Sequence, residues 1–148
     1  MAKTENPGPA PRSLSDAELV RLVQRQQFGT LATVKRSGHP HLSTVVYTWD
    51  ADARTLRISA TADRLKVRQI LREPRVALHI AGPDPWSFAV AEGEARIEEL
   101  DGDVVGDGVG DGGPVKDGAL LPDRRVWITI QVGRLYGTAL AVPGAVAP

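Results

Sequence analysis

The chain has 148 residues, 42% of them apolar, and its 18 basic side chains balance 18 acidic ones. This length suits one domain with a hydrophobic core, and the apolar fraction excludes a wholly disordered chain. A net charge of zero gives no overall field that favours nucleic acid or an anionic membrane. No stretch reaches the ~20 apolar residues of a spanning helix, and the polar, proline-rich start predicts no signal peptide. The absence of cysteine excludes disulfides and thiolate chemistry, so we expect a soluble cytoplasmic protein.

Composition divides the chain into one domain and three segments without a hydrophobic period. Residues 1–12 are rich in proline and predict a flexible tail. A single domain is expected over residues 13–140, followed by a C-terminal tail at 141–148. Residues 101–118 contain almost only Gly, Asp and Val, which predicts a mobile loop inside the domain.

The first regular element is predicted to be a helix. Ser15 and Glu18 have the spacing of a capping box, and Leu14 is placed to pack on Leu19 as a hydrophobic staple. The apolar spacing continues to about Gln26, where we expect the helix to end.

From Phe28 onward, the sequence has the alternation of short strands. GTLATV, STVVYTW and TLRISA predict a three-strand meander, with SGHPHL and DADAR as its turns. After a second helix, further strands are predicted at RVALHIA, WSFAVAEG, EARIEEL and VWITIQV. About six or seven antiparallel strands with only two helices favour a closed barrel over a doubly wound sheet.

The second helix, predicted at residues 63–73 with Asp63 as its N-cap, begins in an unusual way. Arg64 and Lys66 fall in its first turn, where cations oppose the positive end of the helix dipole. A bound anion would remove that conflict, because free backbone N–H groups, hydroxyls and cations could all converge on a phosphate. A solvated basic helix is the alternative. The candidate phosphate ligands are Ser59, Thr61, Arg64, Lys66 and Arg68.

Several other motifs carry less chemistry. The 101–118 loop contains a GxGxxG spacing, but it lacks the strand and helix of a dinucleotide-binding turn. His39 and His41 have no third ligand nearby in sequence, so we interpret them as turn and strand-start residues and predict no metal site.

Two further groups of side chains have more than one interpretation. The glutamates at 92, 94, 98 and 99 we interpret as a solvated strand edge, since a glycosidase needs two carboxylates across a cleft. Trp86 and Phe88 either pack in the core or lie beside a flat ring system.

Several segments resemble a known superfamily, the split β-barrel flavin and deazaflavin oxidoreductases related to pyridoxamine 5′-phosphate oxidase. The segments are GTLATV, SGHPHLSTVVY and ISATADRLKVRQILREPRVALHI. WSFAVAEGEARI and DRRVWITIQVGRLYG resemble the actinobacterial branch that uses the deazaflavin coenzyme F420. The resemblance spans about residues 14–140. It implies a mainly β fold, a six-stranded antiparallel split β-barrel with two short flanking helices. It also implies a homodimer with cofactor sites at the interface.

The same resemblance implies where the coenzyme would lie. Its phosphate would meet Ser59, Arg64 and Lys66, with Gln69 close by. Its ring would lie near His41, Thr44 and Val45 of one strand, and near Trp86 and Phe88. Together with Thr61, the expected cofactor-binding residues are His41, Thr44, Val45, Ser59, Thr61, Arg64, Lys66, Gln69, Trp86 and Phe88.

The function implied is that of an F420-dependent oxidoreductase which transfers hydride from the reduced coenzyme to a small electron-poor acceptor. The cofactor carries the difficult chemistry, so we expect no dedicated catalytic side chain. His41 is the candidate proton relay, because an imidazole exchanges protons near neutral pH. The alternatives are an FMN-dependent oxidoreductase of the same fold, a non-catalytic F420- or flavin-binding protein, and a vitamin B6 oxidase. Both F420 and FMN carry a phosphate, so Arg64 and Lys66 do not discriminate between them.

Overall fold

A computed structural model describes residues 10–99 and 124–140. The predicted loop at 101–118 and the predicted tail at 141–148 lie outside the described residues. Neither helix in the described part has the length and apolar character that crossing a bilayer requires. The strands are β1 (Pro11–Ser13), β2 (Phe28–Val34), β3 (Pro40–Val46), β4 (Thr48–Asp50), β5 (Thr55–Thr61), β6 (Arg75–Ala81), β7 (Phe88–Glu99) and β8 (Arg125–Leu140). The helices are α1 (Asp16–Arg25) and α2 (Leu65–Arg72).

All strand pairs are antiparallel and belong to one sheet, in the order β3-β2-β6-β7-β8-β5-β4 with β1 beside β8. β3 and β4 therefore lie at opposite ends of the sheet, although only Tyr47 separates them in sequence. The sheet curls, and β3 approaches β5. This arrangement confirms the predicted mainly β, antiparallel barrel with two helices.

The core fills the inside of this curled sheet. Alternate residues of β2, β5 and β6 are buried, as expected where one face packs inward. The helices add their apolar faces. The largest fully buried side chains of the described residues are Leu22, Leu31, Leu56, Ile58, Ile70, Leu78, Ile80, Ile128, Ile130, Val23, Val67 and Val126.

The capping box at the start of α1 is confirmed. The Ser15 hydroxyl accepts a hydrogen bond from the Glu18 backbone N–H at 3.2 Å, and the Glu18 carboxylate accepts one from the Ser15 N–H at 3.5 Å. α1 ends at Arg25, with Gln26 as its C-cap, at the predicted position.

The predicted tail at residues 1–12 is wrong at its end, because Pro11 and Arg12 belong to β1. This strand pairs with β8, so that Pro11 lies opposite Leu140. The pairing joins distant parts of the chain, and no local pattern announces it. STVVYTW is also two strands instead of one. The break falls at buried Tyr47, whose hydroxyl donates a hydrogen bond to the Val23 carbonyl at 2.7 Å.

Residues from both WSFAVAEG and EARIEEL form one long strand, β7 (Phe88–Glu99), whose pairing with β8 shifts in register between Glu92 and Gly93 and forms a bulge there. The last strand is likewise longer than VWITIQV, and the described residues contain eight strands where six were expected. Glu98 is buried, with 5% of its surface exposed, so the solvated edge was wrong for this residue. The physical reason is that β7 pairs on both sides, with β6 and with β8.

Candidate functional site

A cleft of about 390 Å³ opens where β3 approaches β5. None of the described acidic side chains lines it. Thr44, Val45, Ser59 and Lys66, all predicted site residues, meet there, although they come from three different elements. Its full lining is Thr44, Val45, Val46, Tyr47, Thr48, Arg57, Ile58, Ser59, Lys66 and Trp127.

Lys66 reaches the cleft from the first turn of α2. Burial lowers the pKa of Lys66, and the positive charge of Arg64 lowers it further. No carboxylate forms an ion pair with Lys66 within residues 10–99 and 124–140. A lysine that is partly desolvated beside another cation is a favourable partner for an anionic ligand.

Ser59 is held by an arginine that the sequence reasoning missed. The Arg125 guanidinium donates a hydrogen bond to the Ser59 hydroxyl at 2.6 Å. Arg125 lies on β8, and its register partner is Thr61 of β5. Only this long-range pairing brings Arg125 beside Ser59, so no signal near Ser59 in the sequence could have identified it.

The start of α2 differs from the prediction. The helix begins at Leu65, its N-cap is Arg64, and none of the described side chains caps it. Asp63 was the predicted N-cap, and that prediction was wrong. Its carboxylate instead accepts a hydrogen bond from the Thr61 hydroxyl at 2.5 Å. Thr61 is therefore occupied by Asp63 and does not line the cleft.

His41 and Gln69 contact each other, and neither of them lines the cleft. The Gln69 side-chain oxygen lies 2.9 Å from the His41 Nδ1 and accepts a hydrogen bond from the Thr33 hydroxyl at 2.5 Å. With that oxygen as acceptor, the Nδ1 of His41 carries the proton and Nε2 is the free acceptor. His41 also lies within β3, so the predicted SGHPHL turn is shorter than expected. The turn ends near Gly38, which has a φ of 89°.

The predicted aromatic residues lie away from this cleft. Trp86 follows the turn after β6 and is 60% exposed, so it is not a core residue. Phe88 begins β7 and stacks on the His79 ring at a centroid distance of 5.2 Å. Neither residue lines the cleft of one chain.

Arg68 also points to a different place. It lines a second hollow, of about 290 Å³, together with Arg36, Leu71 and Arg72. The Arg72 guanidinium donates to the Val34 carbonyl at 2.8 Å. Among the described residues, no group of three or more His, Cys, Asp or Glu side chains could hold a metal ion.

Sequence reasoning missed a second cation of the cleft, Arg57. Its guanidinium carbon lies 5.9 Å from the centroid of the Trp127 ring. Its Nη2 atom lies 3.9 Å from a carboxylate oxygen of buried Glu98, whose other oxygen is held by Arg96. As with Arg125, these contacts depend on the pairing of β5 with β8 and of β8 with β7.

Comparisons with known proteins agree with this architecture. A family model described as pyridoxamine 5′-phosphate oxidase matches residues 15–136. A solved structure named F420 reductase is 27% identical, with a TM-score of 0.58, over 78% of this chain and 93% of that one.

Two more distant solved structures share the fold. The conserved hypothetical protein Rv2991 from Mycobacterium tuberculosis is 23% identical, with a TM-score of 0.61, over 91% of this chain and 89% of that one. A pyridoxamine 5′-phosphate oxidase-related, FMN-binding protein from Nostoc punctiforme is 14% identical, with a TM-score of 0.57. That match covers 82% of this chain and 83% of the other.

Proposed function

The chain belongs to the pyridoxamine 5′-phosphate oxidase family, and from that premise we propose that it is an F420-dependent oxidoreductase. The reaction would transfer hydride from the reduced coenzyme to a small electron-poor acceptor such as an enone, a quinone or a heteroaromatic ring. The single observation that carries the proposal is the cleft, in which Ser59 and Lys66 meet and no acidic side chain stands among the described lining residues. The likeness to a solved F420 reductase favours the deazaflavin coenzyme over FMN.

The donor set of the cleft fits a coenzyme phosphate. Lys66 supplies a cation and Ser59 a hydroxyl, while Arg125 is already hydrogen-bonded to that hydroxyl. Arg64 adds positive charge close enough to lower the pKa of Lys66. Charge-assisted hydrogen bonds of this kind are the strong ones in proteins, and they fix the orientation of a bound group as well as its affinity.

The remaining proposed site residues would position the coenzyme ring or transfer a proton. When bound, a reduced deazaflavin supplies the hydride, which is chemistry that side chains cannot provide. Thr44 and Val45 would form the wall of β3 against which the ring lies. His41 is the proposed proton relay, and its Nε2 is the exchanging atom because Gln69 holds Nδ1.

We also propose that the chain works as a homodimer. Phe28 and Val46, which lie opposite each other on β2 and β3, are 61% and 68% exposed, and Leu42 is 63% exposed. Val46 lines the cleft as well. A second copy packed on this apolar face would therefore cover the cleft, and it could bring its own Trp86 and Phe88 towards the ring.

The test is a calorimetric titration of the purified protein with oxidised F420 and, separately, with FMN. The proposal expects preferential F420 binding, in the micromolar range or tighter, equivalent to about 8 kcal/mol. It further expects that at least one quinone or enone accelerates the oxidation of the reduced coenzyme. Preferential FMN binding would make the protein a flavin enzyme. Tight F420 binding without turnover by any acceptor would indicate a carrier or storage protein.

A further inference from the structure

Arg57 is a cation of the cleft that the phosphate site does not need. It precedes Ser59 by two residues on β5, and the side chains of both line the cleft. Two residues of strand span about 7 Å, so Arg57 and Ser59 address separate parts of a bound molecule. The cleft therefore has two cationic positions, one near Ser59 and Lys66 and one at Arg57.

Two neighbouring side chains, Trp127 and Glu98, hold the Arg57 guanidinium in position. The guanidinium lies over the Trp127 ring, and Glu98 contacts it from β7. These contacts limit the rotamers open to a long side chain, so less freedom is lost when a ligand binds.

The charge of Arg57 is only partly compensated. The Glu98 side chain is 7% exposed, and its single negative charge serves both Arg96 and Arg57. The contact with Arg57 is the longer of the two, at 3.9 Å. Within residues 10–99 and 124–140, no Asp or Glu lines the cleft to supply a second negative charge.

We infer that Arg57 binds a second anionic group of the ligand, separate from the phosphate at Ser59 and Lys66. This inference rests on the proposed function and narrows the class of coenzyme that the cleft would bind. The occupant is a flavin- or deazaflavin-type coenzyme that carries a carboxylate or a second phosphate beyond the first. Arg57 thus provides the discrimination against FMN that Arg64 and Lys66 cannot provide, since FMN has one phosphate only.

The experiment measures the affinity of three coenzymes for wild-type protein, Arg57→Gln and Arg75→Gln by calorimetry. FMN carries one phosphate, FAD carries two, and F420 carries carboxylates beyond its phosphodiester. Arg75→Gln is the matched control, because Arg75 of β6 also pairs with a glutamate, Glu73, but does not line the cleft.

We expect Arg57→Gln to weaken F420 binding, FAD binding or both about tenfold, and FMN binding less than about twofold. Loss for F420 alone identifies a carboxylate as the second group, and loss for FAD alone identifies a phosphate. Arg75→Gln should change no affinity more than about twofold. Thermal melts establish that each variant is folded. If Arg57→Gln does not fold, Arg57→Met keeps the apolar stem over Trp127 and takes its place.

Two results would overturn the inference while leaving the proposed function intact. In one, Arg57→Gln weakens FMN as much as the larger coenzymes, or weakens none of them. In the other, Arg75→Gln has the same effect as Arg57→Gln, which would indicate that the coenzyme responds to the overall positive charge of the protein and does not contact Arg57. Failure of the wild-type protein to bind any of the three coenzymes is a different result, and it would overturn the proposed function together with the inference.

Discussion

Lys66 is a charged side chain whose surroundings favour its neutral form. Burial and the charge of Arg64 lower its pKa in the folded protein relative to the unfolded chain. Between that lowered pKa and the ordinary lysine value, the unfolded chain binds more protons than the folded one. The free energy of unfolding of the ligand-free protein therefore rises with pH through this window, just below the ordinary value of 10.5.

We predict that Lys66→Met raises the melting temperature of the ligand-free protein at neutral pH and flattens its rise with pH. The same change should weaken coenzyme binding by about tenfold or more, because one charge-assisted contact is lost. Calorimetric titration and thermal melts between neutral and alkaline pH measure both effects.

Lys35→Met is the control for that variant, since Lys35 is exposed in the turn between β2 and β3. It should leave the melting temperature and the affinity nearly unchanged. Unaltered coenzyme affinity in Lys66→Met would exclude Lys66 from the phosphate site.

Some of the site could be predicted from residue types near one another in sequence, and some could not. Ser59 and Lys66 stand out because hydroxyls and cations gather before one helix. The same local reasoning failed at Asp63, where two alternatives compete for one carboxylate and the Thr61 hydroxyl prevails over the helix N-terminus. Arg57 and Arg125 could not be predicted as site residues, because only the pairing of β5 with β8 brings them to their partners.

At the scale of elements, the pairing of β7 with β8 includes two close approaches of backbones, at Gly93 and at Gly137. A Cβ atom at Gly93 would overlap the carbonyl oxygen of Gln131, on the facing strand beside the bulge. Gly133, on the same facing strand, has nothing nearer than 3.9 Å to the position of a Cβ. Gly93 and Gly133 therefore have different structural roles.

We predict that Gly93→Ala lowers the free energy of unfolding by about 2 kcal/mol or more, because the strands must separate at the bulge. Gly133→Ala should change the free energy of unfolding by less than about 0.5 kcal/mol. Urea denaturation of both variants measures the difference. Equal stability of the two variants would show that the bulge adjusts to a methyl group at no cost.

How well an element could be predicted depended on the range of the interactions that define it. α1 was predicted to within a residue, because its capping box and apolar period are local. β7 was divided in two, because a glycine in a strand signals a turn or a bulge equally well. β1 has three residues and no pattern of its own, and it exists through its pairing with β8.

At the scale of the molecule, the apolar face of β2 and β3 remains exposed in a single chain, with Phe28, Leu42 and Val46 open to solvent. We predict that Phe28→Glu converts a homodimer into monomers, since it would place a charge at the centre of a desolvated interface. Phe28 is outside the cleft lining, so coenzyme affinity should fall in this variant only through loss of the partner. Analytical ultracentrifugation gives the mass, and calorimetry gives the affinity.

Ala17→Glu is the matched control on the exposed side of α1. It should keep both the mass and the affinity of the wild-type protein. A wild-type protein that sediments as a monomer at micromolar concentration would contradict the proposed dimer. A Phe28→Glu variant that remains dimeric would place the interface elsewhere.

The fold class could be predicted from short strands with two helices, whereas the order of the strands could not. Each strand pattern specifies which face is buried but not which neighbour it pairs with. β3 and β4 illustrate this limit, because they were predicted as one strand, STVVYTW, and here lie at opposite ends of the sheet.

That separation makes the cleft the seam of the barrel. β3 and β5 line the cleft, although four other strands lie between them in the order of the sheet. In sequence, only Tyr47, β4 and a short turn connect the two strands. A molecule bound there would contact both strands and close the barrel at the place where β3 and β5 are not paired with each other. A bound ligand would therefore hold β3 and β5 together and stabilise the whole barrel. Loss of the ligand would destabilise the barrel as a unit and not one loop alone.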